Sequence, residues 1–257
     1  MNVKKIAGSA AFYIGLAVLW QFLYTASTDW FSLAKSYAIP YPAGVWKSFT
    51  SLLSDGTLLT AIGSSMARVL IGFLIACTIG IVFGVLIINS EYLARNLKPL
   101  ILGIQTLPSI CWVPFAILWF GLKESAIIFV VVMGSAFGIA LAVENGIKNV
   151  PPLYIKAAKT MGVSQKGLYL HVIFPAALPS LIAGLKQGWS FAWRALMSGE
   201  VMSASMGLGY TLMLGRDLAD INQVMAVMLV IILIGIIIDK GIFTSIENHI
   251  LHKRGLL

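Results

Sequence analysis

The chain has 257 residues, of which 59% are hydrophobic and only 11% are charged. Soluble domains carry about 25% charged residues, so these charges are too few to solvate the surface of a water-borne fold. The composition therefore excludes a cytosolic enzyme, a disordered tail and a disulfide-stapled secreted module. Both cysteines, Cys77 and Cys111, lie in apolar runs and are interpreted as buried small hydrophobes. The class that remains is an integral membrane protein.

Six apolar stretches are long enough to cross a bilayer, whose core of about 30 Å needs roughly 20 helical residues. They lack the alternation of polar and apolar residues that is typical of transmembrane strands. The first stretch is longer than the apolar region of a signal peptide, so we interpret it as an uncleaved span. The sequence thus predicts an all-α integral membrane fold with about six transmembrane helices. In chain order, the predicted spans are 6–28, 69–90, 99–122, 125–143, 179–202 and 221–238.

The distribution of lysine and arginine predicts which side of the membrane each connection faces, because cytoplasmic connections carry an excess of these residues. An N-terminus in the cytoplasm, with six spans, also places the C-terminus there. The net charge of +8 then reflects topology and anionic lipid headgroups, and nucleic-acid binding is not needed to explain it. The expected cytoplasmic set is Lys4, Lys5, Arg95, Lys98, Lys148, Lys156, Lys159, Lys166, Lys240, Lys253 and Arg254, and the opposite set is Lys35, Lys47, Arg68, Lys123 and Arg216.

Two further local patterns lie in and between the spans. The external segment 29–68 is the longest outside the spans, and its apolar spacing predicts a short surface helix over 45–53. Three G-x-x-x-G spacings predict close helix approaches, which we interpret as packing within the chain in preference to a dimer seam. They are Gly80/Gly84, Gly134/Gly138 and Gly184/Gly188.

The connection between the fourth and fifth spans, 148–179, is unusually long and apolar. Pro152 favours a helix start and Gly162 a helix end, because proline suits the first helical turn and glycine the residue just past the last. Ser164 is placed to cap a second short helix over 165–172, which Pro175 is expected to stop. Exposed apolar surface of this kind usually has a partner, so the segment is interpreted as a docking knob.

This connection resembles the signature loop of permease subunits of ATP-binding-cassette (ABC) importers, which reads Glu-Ala-Ala, three residues, Gly, nine residues, Ile-x-Leu-Pro. Ala157 and Ala158 match the alanines, Gly162 matches the glycine, and 172–175 matches the final positions with the same spacing. Lys156 stands where the family carries its acidic residue. The resemblance implies that the surface that couples to the ATPase includes Lys156, Ala157, Ala158, Gly162 and Pro175.

About residues 40–250 are similar to one branch of that family, the permeases for nitrate, taurine, aliphatic sulfonates and bicarbonate. The matching motifs are Leu107-Pro108, Pro114, Trp119-Phe120-Gly121, the run 175–179, Gly199-Glu200 and Gly207-Leu208-Gly209. The resemblance implies a single permease domain over 1–257 in a bacterial inner membrane, translocating a small anion. Its implied partners are a second permease subunit, as a homodimer, two ATP-binding subunits and an extracytoplasmic substrate-binding protein.

The chain contains no G-x-x-x-x-G-K-[ST] phosphate loop. The nearest string, 162–168, has the two glycines but lacks the Lys and the Ser or Thr. We therefore expect no cofactor and no enzymatic activity in this chain, with ATP and Mg²⁺ bound by the partner ATPase.

Arg194 and Glu200 fall within the fifth predicted span, together with Lys186. A charge at mid-bilayer costs about 2.5–3.5 kcal/mol, so these side chains are expected to face protein or water. Because Arg194 and Glu200 point about 120° apart on a helix, they are not expected to pair with each other. The functional interpretation places Arg194, and with it Glu200, on a translocation pathway for an anion. For Arg194 the alternative is a structural ion pair with another helix or with a second subunit. For Glu200, near the external end of the span, the alternative is an ordinary interfacial position.

Two other classes of protein were weighed. An intramembrane enzyme would need a motif such as H-E-x-x-H or G-x-S-x-G, and the sequence has neither. A secondary transporter or channel that works without an ATPase stays open at this stage, because Pro108 and Pro114 would break the third span.

Overall fold

The computed structural model describes residues 3–30 and 38–253, and this part of the chain forms helices and their connections without any strand. The predicted all-α class is therefore confirmed. Short π-helical or 3₁₀ turns extend the helices at Ala26–Trp30, Ser109–Trp112, Leu168–Ile173 and Asp239–Phe243. The helices are α1 (Val3–Thr25), α2 (Pro42–Ser54), α3 (Thr57–Asn89), α4 (Glu91–Gln105), α5 (Val113–Phe120), α6 (Glu124–Lys148), α7 (Pro152–Thr160), α8 (Gln165–Gly167), α9 (Phe174–Val201), α10 (Leu208–Asp217), α11 (Ile221–Ile238) and α12 (Thr244–Lys253).

Four helical segments are long and apolar enough to cross a membrane: Thr57–Asn89, Glu124–Lys148, Gln165–Val201 and Ile221–His252. The bent pair formed by α4 and the segment Ser109–Phe120 makes a fifth if it is counted as one span. Nearer the N-terminus, the apolar helical segment Ile14–Thr28 is shorter than these. The predicted number of six transmembrane helices is therefore not confirmed, because the described residues supply four or five. Lys35 and Arg254, which entered the predicted charge distribution, lie outside the described residues.

The third predicted span, 99–122, is not one straight helix. α4 ends at Gln105, and the helical segment that begins at Ser109 is bent from it by 99°. Pro108 accounts for the break, because its ring disfavours helical geometry in the residue before it and its nitrogen has no hydrogen to donate. Cys111 lies exposed in the turn that follows the break, so the expectation of a buried thiol is wrong for this residue.

Pro175 does not stop a helix, as the sequence predicts, since the chain is helical without interruption over Gln165–Val201. The π-helical turn Leu168–Ile173 lies just before the proline, and the N–H of Phe174 donates to the carbonyl of Tyr169, five residues earlier. A π turn shifts the hydrogen-bond register at the point where the proline cannot donate. The expected second short helix is therefore the first part of a long one.

The first of two compact units comprises Met1–Gly63 and Met206–Ile232. The predicted surface helix of this unit is α2, and its first turn is held by Asn222, whose side-chain oxygen accepts a hydrogen bond of 3.1 Å from the N–H of Tyr41. Trp20 donates through Nε1 to the carbonyl of Pro40 at 2.9 Å. These bonds fix the entry to α2 within its own unit.

The second unit comprises Ser64–Ser205 and Leu233–Leu257, and α6 packs there against α3 and α9. Small residues allow the close approach: a Cβ built on Gly84 would lie 2.7 Å from the side chain of Val143, and one on Gly188 would lie 2.5 Å from Ile139. All three G-x-x-x-G pairs contact neighbouring helices of this chain, as predicted. The single permease domain over 1–257 stays a prediction.

Candidate translocation and coupling sites

A cavity of about 340 Å³ lies in the second unit, where the broken helix pair passes α6 and α9. Its polar lining residues are Gln105, Thr106, Ser109 and Arg194. Among the described residues that line it, Arg194 alone is charged. The rest of the lining is Ile104, Leu107, Pro108, Met133, Gly134, Phe137 and Phe191. An apolar wall with a few polar groups is typical of a site for a small molecule.

Arg194 reaches this cavity from α9. Its Nε donates to the carbonyl of Ser190 at 3.2 Å, and its guanidinium carbon lies 5.0 Å from the centre of the Phe191 ring. Within the described part of the chain, no acidic side chain forms an ion pair with Arg194. The backbone and the ring therefore orient the guanidinium, while its terminal amino groups remain available to an anion.

Glu200 lies in a buried ion-pair cluster and does not line the cavity. Its Oε1 is 2.9 Å from Nη1 of Arg68, and the Ser65 hydroxyl lies 2.8 Å from both carboxylate oxygens. The second amino group of Arg68 is 2.9 Å from Glu124 at the start of α6. The cluster ties α3, α6 and α9 together. Glu200 thus forms a buried ion pair, which the sequence did not predict for it, and its role on a pathway stays a prediction.

A second buried carboxylate, Glu144, lies near the other end of α6. Its oxygens are 2.7 Å from Nζ of Lys98 on α4 and 2.6 Å from Nζ of Lys148, and its side chain is inaccessible to solvent. A buried carboxylate needs such partners, because an uncompensated charge in a protein interior is strongly unfavourable. The cluster fastens the amphipathic α4 to α6.

Lys186, the third charge of the predicted fifth span, is also accommodated by protein groups. Its Nζ donates to the hydroxyl of Thr244 at 3.0 Å and lies 3.5 Å from Asp239 and 3.8 Å from Glu247. Lys186 and Glu200 of the predicted span therefore have protein partners, whereas Arg194 faces the cavity, so that none of the three charges needs to face lipid.

The predicted docking knob begins with α7, which ends in a Schellman turn. Gly162 has a φ of +76°, its N–H donates to the carbonyl of Lys159, and the N–H of Val163 donates to that of Ala158. The positive φ favours glycine, because a side chain is strained in this conformation. The Ser164 hydroxyl then accepts from the N–H of Gly167 at 3.2 Å and opens the next helix. The first helix and its glycine lie where the sequence predicts them.

One face of α7 packs against the rest of the second unit. Ala158 is buried in a cluster with Val150, Leu168, Ile173 and Ala177. The small side chain of Ala158 therefore allows α7 to lie close to the start of the long helical segment Gln165–Val201. Ala158 contributes to the packing of the knob itself and is not part of its exposed surface.

Beside this buried contact, α7 and the residue that follows it expose a row of apolar side chains. Leu153 is 71% exposed and Met161 is 82% exposed, and Tyr154 and Ala157 are exposed between them. We call these four residues the α7 face. Lys156 and Gly162 are also exposed, and Pro175 is half-buried. Apolar side chains that are exposed together in this way mark a surface for a partner.

Three residues with a role in these sites were not selected from the sequence as site residues. Two of them, Arg68 and Glu124, form the ion-pair cluster, and Gln105 lines the cavity. Arg68 follows the uncharged stretch 57–67, which is the signal that α3 starts well before the predicted span at 69. The partner of Arg68, Glu200, lies 132 residues away along the chain. No sequence spacing indicates such a pair.

The fold and these sites together define a class of protein, a membrane-embedded transport permease. Residues 76–250 match the family model for the binding-protein-dependent transport system inner membrane component. The chain belongs to this family. It is a multi-pass permease subunit of an ABC importer in the inner membrane, and subunits of this family work with an ATPase and a substrate-binding protein. Membership decides against a secondary transporter or channel, and the relatives are themselves transport permease subunits.

Two relatives and one solved structure illustrate the similarity. A putative ABC transporter permease of Methanocaldococcus jannaschii is 34% identical over 195 residues, covering 76% of this chain and 73% of the relative. A putative aliphatic sulfonates transport permease of Escherichia coli is 32% identical over 226 residues, covering 88% and 84%. The MetNI methionine ABC transporter in an inward-facing conformation matches with a TM-score of 0.66 at 20% identity, covering 76% of this chain and 96% of that one. This last match shows the shared fold.

Proposed function

We propose that this permease translocates a small anion of the sulfonate, taurine, nitrate and bicarbonate class through the cavity at Arg194. The observation that carries the proposal is that Arg194 is the one charged residue among the cavity's described lining and has no acidic partner in the described chain. Hydrogen bonds from a guanidinium to an anion are charge-assisted and are among the strong ones. The name of the E. coli relative, which refers to aliphatic sulfonates, agrees with a negatively charged substrate.

The permease works as a homodimer with two ATP-binding subunits, and the extracytoplasmic binding protein delivers the substrate. ATP and Mg²⁺ are bound and hydrolysed in the ATP-binding subunits. Both termini of the permease and α7 lie in the cytoplasm, where the α7 face, Lys156 and Gly162 contact the ATPase. The exposure of Leu153 and Met161 supports this contact.

The coupling between ATP and the cavity follows from helix continuity. ATP binding draws the two ATPases together, and α7 moves with them. α7 packs through Ala158 on Leu168 and Ile173, which belong to the same uninterrupted helical segment, Gln165–Val201, as Arg194. A helix transmits displacement along its axis, so movement at α7 shifts α9 and changes the side from which the cavity is open.

The Arg194→Ala variant tests the proposal. We expect ATP-dependent uptake of labelled ethanesulfonate to fall about 10–100-fold, because a hydrogen bond to a charged group contributes about 1.5–3 kcal/mol. Uptake is measured in proteoliposomes that contain the permease, the ATPase and the loaded binding protein. Arg194→Lys, which keeps the charge but not the planar donor pair, is expected to retain part of the uptake.

Arg216 offers a matched control, because it is an exposed arginine that pairs with Asp217 outside the cavity. Arg216→Ala is expected to leave uptake within about twofold of the native rate, as is typical of exposed ion pairs. Normal uptake by an Arg194→Ala permease that still assembles with its ATPase would contradict the pathway role of Arg194.

A further inference from the structure

The polar groups of the cavity differ in whether their hydrogen-bonding capacity is already used. The Thr106 hydroxyl donates to the carbonyl of Gly103 at 2.7 Å. The Ser109 hydroxyl lies 3.3 Å from that of Ser198, which in turn donates to the carbonyl of Arg194 at 3.1 Å. Because Ser198 gives its hydrogen to that carbonyl, Ser109 donates to Ser198. Neither Thr106 nor Ser109 therefore has a hydrogen left for a ligand.

Gln105 is different, because its side chain makes no hydrogen bond with any described residue although it is half-buried and lines the cavity. It is the last residue of α4, directly before the break at 106–108. A carboxamide can give two hydrogen bonds and accept two. Among the described residues that line the cavity, Gln105 and Arg194 are the side chains whose donors remain unused.

Gly138 on α6 explains how the Gln105 side chain is placed. A Cβ built on Gly138 would lie 3.0 Å from the Phe191 ring and 3.5 Å from Nε2 of Gln105. The absence of a side chain at Gly138 thus leaves room for both groups. The same Phe191 ring carries the guanidinium of Arg194 on its face. Nε2 of Gln105 on α4 and the Phe191 ring on α9 therefore both lie beside Gly138, and this ring carries Arg194.

We propose that Gln105 is the second contact of the translocated anion and sets how tightly the permease holds it. This inference rests on the proposed function of the cavity. Arg194 supplies the positive charge, and Nε2 of Gln105 donates a neutral hydrogen bond to an oxygen of the anion. Because the two residues belong to different helices that line the cavity, an anion that contacts both bridges the broken helix pair and α9.

The test is anion binding to the purified complex of the permease with its ATPase, without the binding protein, measured by isothermal titration calorimetry. The probes are ethanesulfonate, nitrate and taurine. Gln105→Leu is expected to raise the Kd of the bound probe about 3–10-fold, the range for one neutral hydrogen bond. Gln105→Glu is expected to abolish binding, because its carboxylate repels the anion and neutralises the guanidinium.

Asn96→Leu is the matched control, since it makes the same change from carboxamide to aliphatic side chain on the same helix. Asn96 is exposed, donates to the carbonyl of Tyr92 and does not line the cavity. We expect its Kd to equal the native value. Gln105→Asn, which shortens the reach by one methylene, provides a second variant if the leucine variant fails to co-elute with the ATPase, and the same rise in Kd is expected.

The outcomes separate this inference from the proposed function. A native Kd in both Gln105→Leu and Gln105→Asn, together with loss of binding in Arg194→Ala, would overturn the role of Gln105 and leave the anion pathway standing. A native Kd in Arg194→Ala as well would overturn the pathway itself. If the native complex binds none of the three probes, the assignment of both residues as ligand contacts is overturned.

Discussion

Replacing Arg68 by leucine is expected to destabilise the permease by about 3–5 kcal/mol, because it removes the cation from a buried ion pair and leaves a carboxylate in the interior. The Glu200 side chain is fully buried, that of Arg68 is 4% exposed, and the charged atoms are 2.9 Å apart. The Ser65 hydroxyl remains beside Glu200 but carries no charge. The free energy of unfolding is measured by denaturant titration of the purified permease in detergent.

Two further variants isolate the role of the buried charge. Glu124, the other partner of Arg68, is 67% exposed, so Glu124→Gln is expected to lower the free energy of unfolding by no more than about 1 kcal/mol. The double variant Arg68→Leu with Glu200→Leu is expected to recover most of the lost stability, because it removes both charges together. Equal effects of Arg68→Leu and Glu124→Gln would contradict the importance of burial.

Ala157→Trp is expected to reduce ATP-driven uptake by more than tenfold without unfolding the permease. Ala157 is exposed on the α7 face between Leu153 and Met161, so a large side chain there prevents close approach of the ATPase but displaces nothing inside the chain. The measurements are co-purification of the ATPase with the tagged permease and uptake of ethanesulfonate in proteoliposomes.

Lys156→Glu is the control on the same helix, and we expect it to be tolerated, because the family carries an acid at this position. Ala158→Leu acts by another route, since Ala158 is buried and a larger side chain forces α7 away from Leu168. We expect that variant to lower the thermal stability of the permease itself. Native co-purification of the ATPase with Ala157→Trp would place the docking surface elsewhere.

The lengths of the uncharged runs predict much of the fold. Where the predicted start of a span is wrong, a charged residue inside the helix is the cause. The last predicted span, 221–238, coincides with α11, although the helical segment continues past Asp239 to His252. The span predicted from residue 69 starts twelve residues too late, because a run that stops at each charge excludes Arg68. The structure accepts this charge inside a helix once Glu200 and Glu124 are beside it.

Prolines show the same dependence on context. Pro108 breaks its helix and Pro175 does not, although both follow a strongly apolar stretch. The π turn that precedes Pro175 makes the difference, and no residue pattern indicates it. Gly162, by contrast, was predictable because a positive φ is a property of the local chain.

The candidate sites were only partly predictable. Arg194 was selected because a charge in an apolar span needs an explanation, and the structure places it in the cavity. Glu200 was selected by the same reasoning and forms a buried ion pair instead. Both residues lie in the same apolar span of the sequence, but one faces the cavity and the other is buried in an ion pair. What separates them is the presence of Arg68 across the helix interface, which only the folded arrangement reveals.

The central claim is that the permease draws its energy from an ATPase that binds at α7. The most direct measurement is uptake of the loaded substrate into proteoliposomes with the permease alone, with the native ATPase, and with an ATPase variant that cannot hydrolyse ATP. We expect uptake against a concentration gradient only with the native ATPase and ATP. Accumulation of substrate by the permease alone, driven by an ion gradient, would contradict the account.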